Sequence, residues 1–452
     1  MSGTFRGRRV GGALVLALIV LAACSVTEPD TLGSVFISAP DDPLVHFRIL
    51  VKVGSANDPS GKDGLCRMTW DLLAHGGTRT SSAAEISSRL YPLAASISVT
   101  VDKEASAIAA DISRENLEAF YAIFKEKLLA PGFAAEDLDL LKADRISRIE
   151  DPEDEANLQA FGSAILDRLI YEGHPYGRPS SGSAATIAGL TVADARVFYA
   201  QHFVRGNIII GLAGGYPPDF AERVVADFRL LPAGFTPALR LPAPRRPAGP
   251  EVLIAEQPGT AEAAVMGLPL DPDMTEEERA ALKIAGVQLG QDPKVGLTPD
   301  RFRRQRIFPV PVAAGGEGDP IAAIPAALDA LRSLAREGIP EDRFELIRAS
   351  LLNAARLAAG GAGERLRERL DALPEAGEPG GSERGRVILA GVARSEVERA
   401  VRKYLDPERI RIGIVTEDAE SARRALAAIV PSAGVRTLLP AEIFRPSPEI
   451  KE

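Results

Sequence analysis

The same short pattern occurs twice in this chain, 206 residues apart, and that repetition limits the folds open to it. Pro131-Gly132-Phe133-Ala134-Ala135-Glu136-Asp137-Leu138 aligns with Glu337-Gly338-Ile339-Pro340-Glu341-Asp342-Arg343-Phe344. At the same spacing Leu141-Lys142 aligns with Ile347-Arg348. Further on, Asn207-Ile208-Ile209-Ile210-Gly211 aligns with Arg409-Ile410-Arg411-Ile412-Gly413, 202 residues apart. Matches in the same order at nearly equal spacing point to an internal duplication. A chain of 452 residues with 46% apolar residues has the material for two such units, each with its own core.

Periodicity fills in the first copy. An apolar strand spans about 44–53, and helices are expected at about 61–75 and 82–92. Ser96-Ile97-Ser98-Val99-Thr100-Val101 and Ala107-Ile108-Ala109-Ala110-Asp111-Ile112 alternate as an antiparallel pair with one solvated face, turned at Asp102 to Ser106. Helices at about 114–129, 135–149 and 154–171 carry apolar residues at i, i+3 and i+4, as Leu117, Phe120, Tyr121 and Phe124 do. A helix at about 192–203 leads into the strand Asn207 to Leu212. The segment 231–249 holds five prolines and no periodicity, which marks a semi-rigid linker. The second copy opens on Val252-Leu253-Ile254-Ala255 and ends near Pro431. The expected division is therefore 44–230, linker 231–249, 250–431, and a tail 432–452. Around 373–386 the chain is polar and reads as a mobile loop.

The N-terminus reads as an address. Arg6, Arg8 and Arg9 precede an apolar or glycine run from Val10 to Val20, too short for an ordinary membrane span and typical of a secretory signal. Leu21-Ala22-Ala23-Cys24 resembles a bacterial lipobox, which makes residues 1–23 a signal peptide and Cys24 the lipidated first residue. Residues 24–43 then form a tether with one short strand, Val35 to Ser38. Ser25 resembles the sorting residue of outer-membrane lipoproteins, so the expected location is the cell envelope, at the periplasmic face of the outer membrane. Cys66 is left without a disulfide partner. Loss of the signal takes three arginines and no acids, leaving 50 basic against 62 acidic residues. Such a body repels nucleic acid.

Residues 47–78 (FRILVKVGSANDPSGKDGLCRMTWDLLAHGGT) read as strand, polar turn and amphipathic helix closed by Gly76-Gly77-Thr78. This unit resembles the opening of the insulinase/pitrilysin zinc metallopeptidases, the family of the mitochondrial processing peptidase. Gly173-His174-Pro175-Tyr176-Gly177 is similar to the family's His-Pro-x-Gly loop, and Val192 to Gly211 to its helix entering the last strand of the first domain. The resemblance implies an α+β fold of two tandem homologous domains, each a mainly antiparallel sheet covered by helices, forming half of a clamshell. It also implies H-x-x-E-H on the helix, two zinc-binding histidines and a glutamate that activates water. Counted forward from Gly64-Leu65, those positions hold Arg67, Trp70 and Asp71; counted back from Gly77-Thr78, they hold Met68, Asp71 and Leu72. Neither register supplies a histidine. The family's third ligand, a glutamate some seventy-odd residues on, falls in Arg145 to Glu150, where Glu150 opens an acidic run. Arg301 to Pro309 has arginines but lacks the Gly-Leu-x-Tyr that follows the family's substrate-gripping arginine. The sequence thus resembles the family's catalytically degenerate bacterial members.

One replacement site is conceivable: Asp71 and His75 lie at i, i+4, and Glu85 on the next helix could join them around zinc. No Gly-x-Ser-x-Gly elbow occurs, and the glycine clusters at 360–363 and 380–381 follow no strand with phosphate-loop spacing. The expectation is a lipid-anchored subunit with no catalytic residues and no cofactor. It would bind extended peptide and pair with an active zinc peptidase subunit. The competing readings are a metalloendopeptidase with an altered zinc site and an envelope scaffold.

Overall fold

A computed structural model describes residues 32–150, 155–237, 239, 241–242, 249–257, 262–271, 273–290, 307–312, 319–358, 360–376 and 381–439. The signal, Cys24, the acidic run at 151–154 and Arg301 to Arg306 lie outside the described residues.

The first repeat runs β1 (Gly33–Ser38), β2 (Leu44–Val51), α1 (Leu65–His75), α2 (Ala83–Leu90), β3 (Ser98–Val101) and β4 (Ser106–Ser113). It continues through α3 (Leu117–Leu129), α4 (Ala135–Glu150), α5 (Glu155–Ile170), α6 (Ala184–Gly189), α7 (Val192–His202), β5 (Ile208–Gly214) and α8 (Phe220–Phe228). The second runs β6 (Glu251–Glu256), β7 (Ala263–Pro269), α9 (Glu276–Gln288), β8 (Ile307–Val310), α10 (Ile324–Glu337) and α11 (Glu341–Ala358). It closes with α12 (Ala362–Ala376), α13 (Gly381–Gly391), α14 (Arg394–Tyr404), β9 (Arg411–Thr416), α15 (Ala419–Ile429) and β10 (Gly434–Leu438). Helix starts are written locally: Ser82 with Glu85, Thr191 with Asp194 and Thr275 with Glu278 form capping boxes.

The duplication is visible in topology. The first sheet has the order β1-β5-β2-β4-β3, and the second β10-β6-β9-β7-β8. Within each, the run β1-β5-β2-β4 or β6-β9-β7-β8 has one parallel pairing followed by two antiparallel ones. The first sheet is mainly antiparallel. The second differs because β10 adds a further parallel pairing at its edge, leaving two pairings of each kind. Residues 434–438 therefore belong to the second domain and are not tail; with Arg436 at its centre the strand carries a weak apolar signal. The loop expected at 373–386 is helical at both ends, since α12 reaches Ala376 and α13 begins at Gly381, while 377–380 lie outside the described residues.

Each sheet buries one face against its own helices, with Phe47, Ile49, Trp70, Phe120 and Phe198 in the first core and Ile254, Leu282, Phe308 and Leu331 in the second. The opposite faces are covered by exchange. Leu366 and Leu370 of α12 pack on Val35, Leu50 and Ile209 of the first sheet, while Ile165 and Leu169 of α5 pack on Leu253, Ala255 and Val415 of the second. Glycine at equivalent positions permits this approach. A Cβ on Gly211 would lie 2.6 Å from Leu370 Cδ1 and 2.8 Å from the Arg48 carbonyl, and one on Gly413 would lie 2.6 Å from Ile165 Cγ2. Polar groups on the same face of β2 follow suit, with Arg48 donating to Asp371 of α12 at 3.2 Å.

Candidate functional site

Helix α1 is the centre of the site, and both its ends are fixed. At its start the buried Asp58 carboxylate accepts from the Gly64 and Cys66 amides at 2.8 and 2.7 Å, as a capping acid does. Burial nonetheless pushes the Asp58 carboxyl up to about 7, against those two bonds and the charge of Arg178. Arg178, just after the Gly173 to Gly177 loop, donates to the Asp58 and Ala56 carbonyls and to Asp63 Oδ1. Within that loop His174 is buried and its Nδ1 accepts from the Tyr176 amide, so it serves the turn. At the other end of α1 the Gly77 amide donates to Asp137 Oδ2 at 2.7 Å, and Lys127 donates to the Gly76 carbonyl. Burial lowers the Lys127 ammonium to about 8.

Between these anchors the helix divides by face. Met68 and Leu72 are 1% and 2% exposed in the first core, so the second counting register places apolar packing residues at two of its three positions. Trp70 is fully buried against Phe198 and Phe203, with ring centroids 5.9 and 6.0 Å apart. Arg67 and Asp71 lie one turn apart on the remaining face. Arg67 Nε donates to Asp71 Oδ1 at 3.0 Å and Oδ2 at 2.9 Å, and Arg145 of α4 donates to Asp71 Oδ2 at 2.9 Å. The first register and the third-ligand region thus converge on one arginine–aspartate–arginine cluster. Sequence reading left Arg145 unassigned; its distance from Asp71 along the chain was the only signal.

The improvised triad does not assemble. Asp71 is committed to the two guanidiniums, and His75 sits at the surface on the last turn of α1. Partial burial and the cations of Lys127, Arg67 and Arg145 hold the His75 ring below its usual pKa, against the pull of Asp71. Glu85 caps α2, accepting from the Ser82 amide at 2.8 Å. Among the described residues no three His, Cys, Asp or Glu side chains gather as metal ligands. Cys66 is buried, and burial raises its thiol pKa well above normal, which makes it inert packing.

Beside α1 runs β3, the outermost strand of its sheet, which pairs only with β4 among the described residues. The helix that carries the ion cluster therefore also flanks a strand edge that is unpaired among the described residues. A family model for insulinase (peptidase family M16) matches residues 34–181, the segment that holds all of these groups up to the Arg178 support. Over this segment, about a third of the chain, the sequence is similar to the insulinase family. An uncharacterized zinc protease of Streptomyces coelicolor is 26% identical over 274 residues, 58% of each chain, so the match spans less than two thirds of that relative. The fold likeness extends over both repeats. A peptidase M16 inactive domain from Pseudomonas fluorescens superposes with a TM-score of 0.69 at 18% identity, covering 86% of this chain and 96% of that one. The first half of the periplasmic protease PqqL from Escherichia coli gives 0.65 at 14% identity, covering 92% and 93%.

Proposed function

We propose that this chain is a non-catalytic, lipid-anchored member of the insulinase family that binds extended peptide in the bacterial envelope and pairs with an active zinc peptidase subunit. The cluster Arg67–Asp71–Arg145 carries the reading. Zinc, which the name of the Streptomyces relative implies, does not fit these side chains. A guanidinium is permanently protonated and has no lone pair to give, and an indole is no ligand. The Asp71 oxygens already accept from both arginines, and a divalent cation placed there would face two fixed positive charges. Nor does Trp70 offer a proton acceptor where the family's resemblance calls for a general base. We therefore assign no cofactor.

The open edge of β3 supports the peptide role, because strand addition needs only backbone donors and acceptors. The partner role rests on the half-clamshell architecture: the Escherichia coli neighbour is the first half of a longer periplasmic protease, and the Pseudomonas neighbour is described as inactive. That periplasmic neighbour, together with the lipobox at Cys24, supports the envelope location.

The deciding experiment is zinc content of the full chain, purified in detergent without chelator and measured by mass spectrometry, alongside peptidase activity with and without the co-expressed family member that bears H-x-x-E-H. Zinc far below one per chain, with activity only when the partner is present, is expected. One zinc per chain that disappears on Asp71→Ala or His75→Ala would overturn the proposal in favour of an altered metallopeptidase.

A further inference from the structure

The two arginines of the cluster are only partly used. Arg67 gives Asp71 its Nε alone, and Arg145 gives one terminal nitrogen, with no other protein acceptor for either among the described residues. Each guanidinium carries five N–H groups in a rigid fork, so most of their donors are unspent. Both side chains reach the surface, at 28% and 19% exposure, while Asp71 beneath them is 5% exposed.

Within the cluster itself the positive charges outnumber the negative. Two guanidiniums face one carboxylate, which leaves an excess of one positive charge. Lys127 faces Asp137 and Glu126, and Asp144, bound by Arg148, also lies within the field of Arg145. His75 also lies within the field of Arg67, Arg145 and Lys127. The strand edge that would hold an extended peptide runs alongside the same helix.

We propose that Arg67 and Arg145 together receive a carboxylate of the peptide laid along β3. This rests on the peptide-binding reading above and narrows its substrate class to peptides that present a carboxylate at this point. Arginine binds carboxylates through two parallel N–H donors, and the fork of either residue is free to do so. The carboxylate comes from an acidic side chain or from a peptide C-terminus; the chemistry is shared, and the test separates them. Asp71 acts as an internal competitor that keeps the arginines ordered when no peptide is bound.

The experiment titrates the full chain in detergent with three fluorescent, threonine- and valine-rich extended peptides. One has a central Glu and an amidated C-terminus, one has Gln in its place, and one has Gln with a free C-terminal carboxylate. A carboxylate-bearing peptide is expected to bind about tenfold or more tightly than the amidated Gln peptide, the order expected for a charge-assisted bidentate pair. The peptide that shows the gain identifies the source. Arg67→Gln with Arg145→Gln should abolish the preference while leaving backbone-driven binding of the Gln peptide. Asp71→Asn, nearly isosteric and so safe for the fold, frees both forks and should widen the preference. Equal binding of all three peptides to the native chain and to Asp71→Asn would overturn the inference but leave peptide binding intact. A preference that survives in the double arginine variant would also overturn it. Binding of no peptide to any form would remove both this inference and the reading beneath it.

Discussion

Asymmetry in the Arg67–Asp71–Arg145 cluster gives its sharpest test. Asp71 is 5% exposed, whereas Arg67 and Arg145 are 28% and 19% exposed. Removing the arginines strands a carboxylate that water cannot reach, which costs about 3–5 kcal/mol when a buried charge loses its partners. Removing the charge of Asp71 leaves two guanidiniums that can turn to solvent. Asp71→Asn also keeps one carbonyl acceptor, so its cost should be about 1–2 kcal/mol, the scale of a weakened charged hydrogen bond. The double variant Arg67→Gln with Arg145→Gln should therefore lose more stability than Asp71→Asn, by about 1–4 kcal/mol. Guanidinium unfolding of the full chain at neutral pH, followed by fluorescence of Trp70, measures both. Trp70 is the only tryptophan and sits in the same helix, so the signal reports the first domain even if the two domains unfold separately. If Asp71→Asn cost as much as the double arginine variant, the burial argument would be wrong. If neither moved the transition, the cluster would be a surface pair of no consequence.

Two further outcomes follow from the face of β2 that meets α12. His46 Nδ1 lies 2.6 Å from Asp111 Oδ1, and that hydrogen bond, outweighing partial burial, raises the imidazole pKa above 6.5, with Asp42 adding to it. A raised folded-state value means its stabilisation is full below the unfolded-state pKa and fades as pH rises through the folded one. The stability gap between the native chain and His46→Gln should thus be widest below pH about 6.5 and narrow toward alkaline pH; a gap that grew with pH would refute the ion-pair assignment. Leu370→Ala, in a helix of the second repeat, should cost about 2–5 kcal/mol and loosen amide protection in β1, β2 and β5 of the first sheet, read by hydrogen exchange. Loosening confined to the second sheet would contradict the exchange of α12.

Much of this fold was legible because its signals are local. Alternation in residues 96–112 gave the β3–β4 hairpin, and the 206-residue echo of Pro131 to Leu138 gave the duplication that the strand order bears out. What escaped the sequence was relational. Helices α5 and α12 are amphipathic, but periodicity says only that a helix has a face to bury, not which sheet will receive it. The clue was present in Gly211 and Gly413, the closing residues of a repeated match, read simply as a shared strand when their role is to admit the other repeat's helix. Arg145 was hidden for the same reason. Its partner lies 74 residues away, and nothing in the local pattern of α4 distinguishes it from the neighbouring surface arginine Arg148, which pairs with Asp144 within its own helix. Arg67 and Asp71 of α1 and Arg145 of α4 nonetheless have a joint logic that single positions conceal. With Arg67 or Arg145 absent, Asp71 would lack part of its compensation; with Asp71 absent, the arginines would only repel. Arg67, Asp71 and Arg145 therefore act as one mutually dependent cluster and not as three independent surface charges.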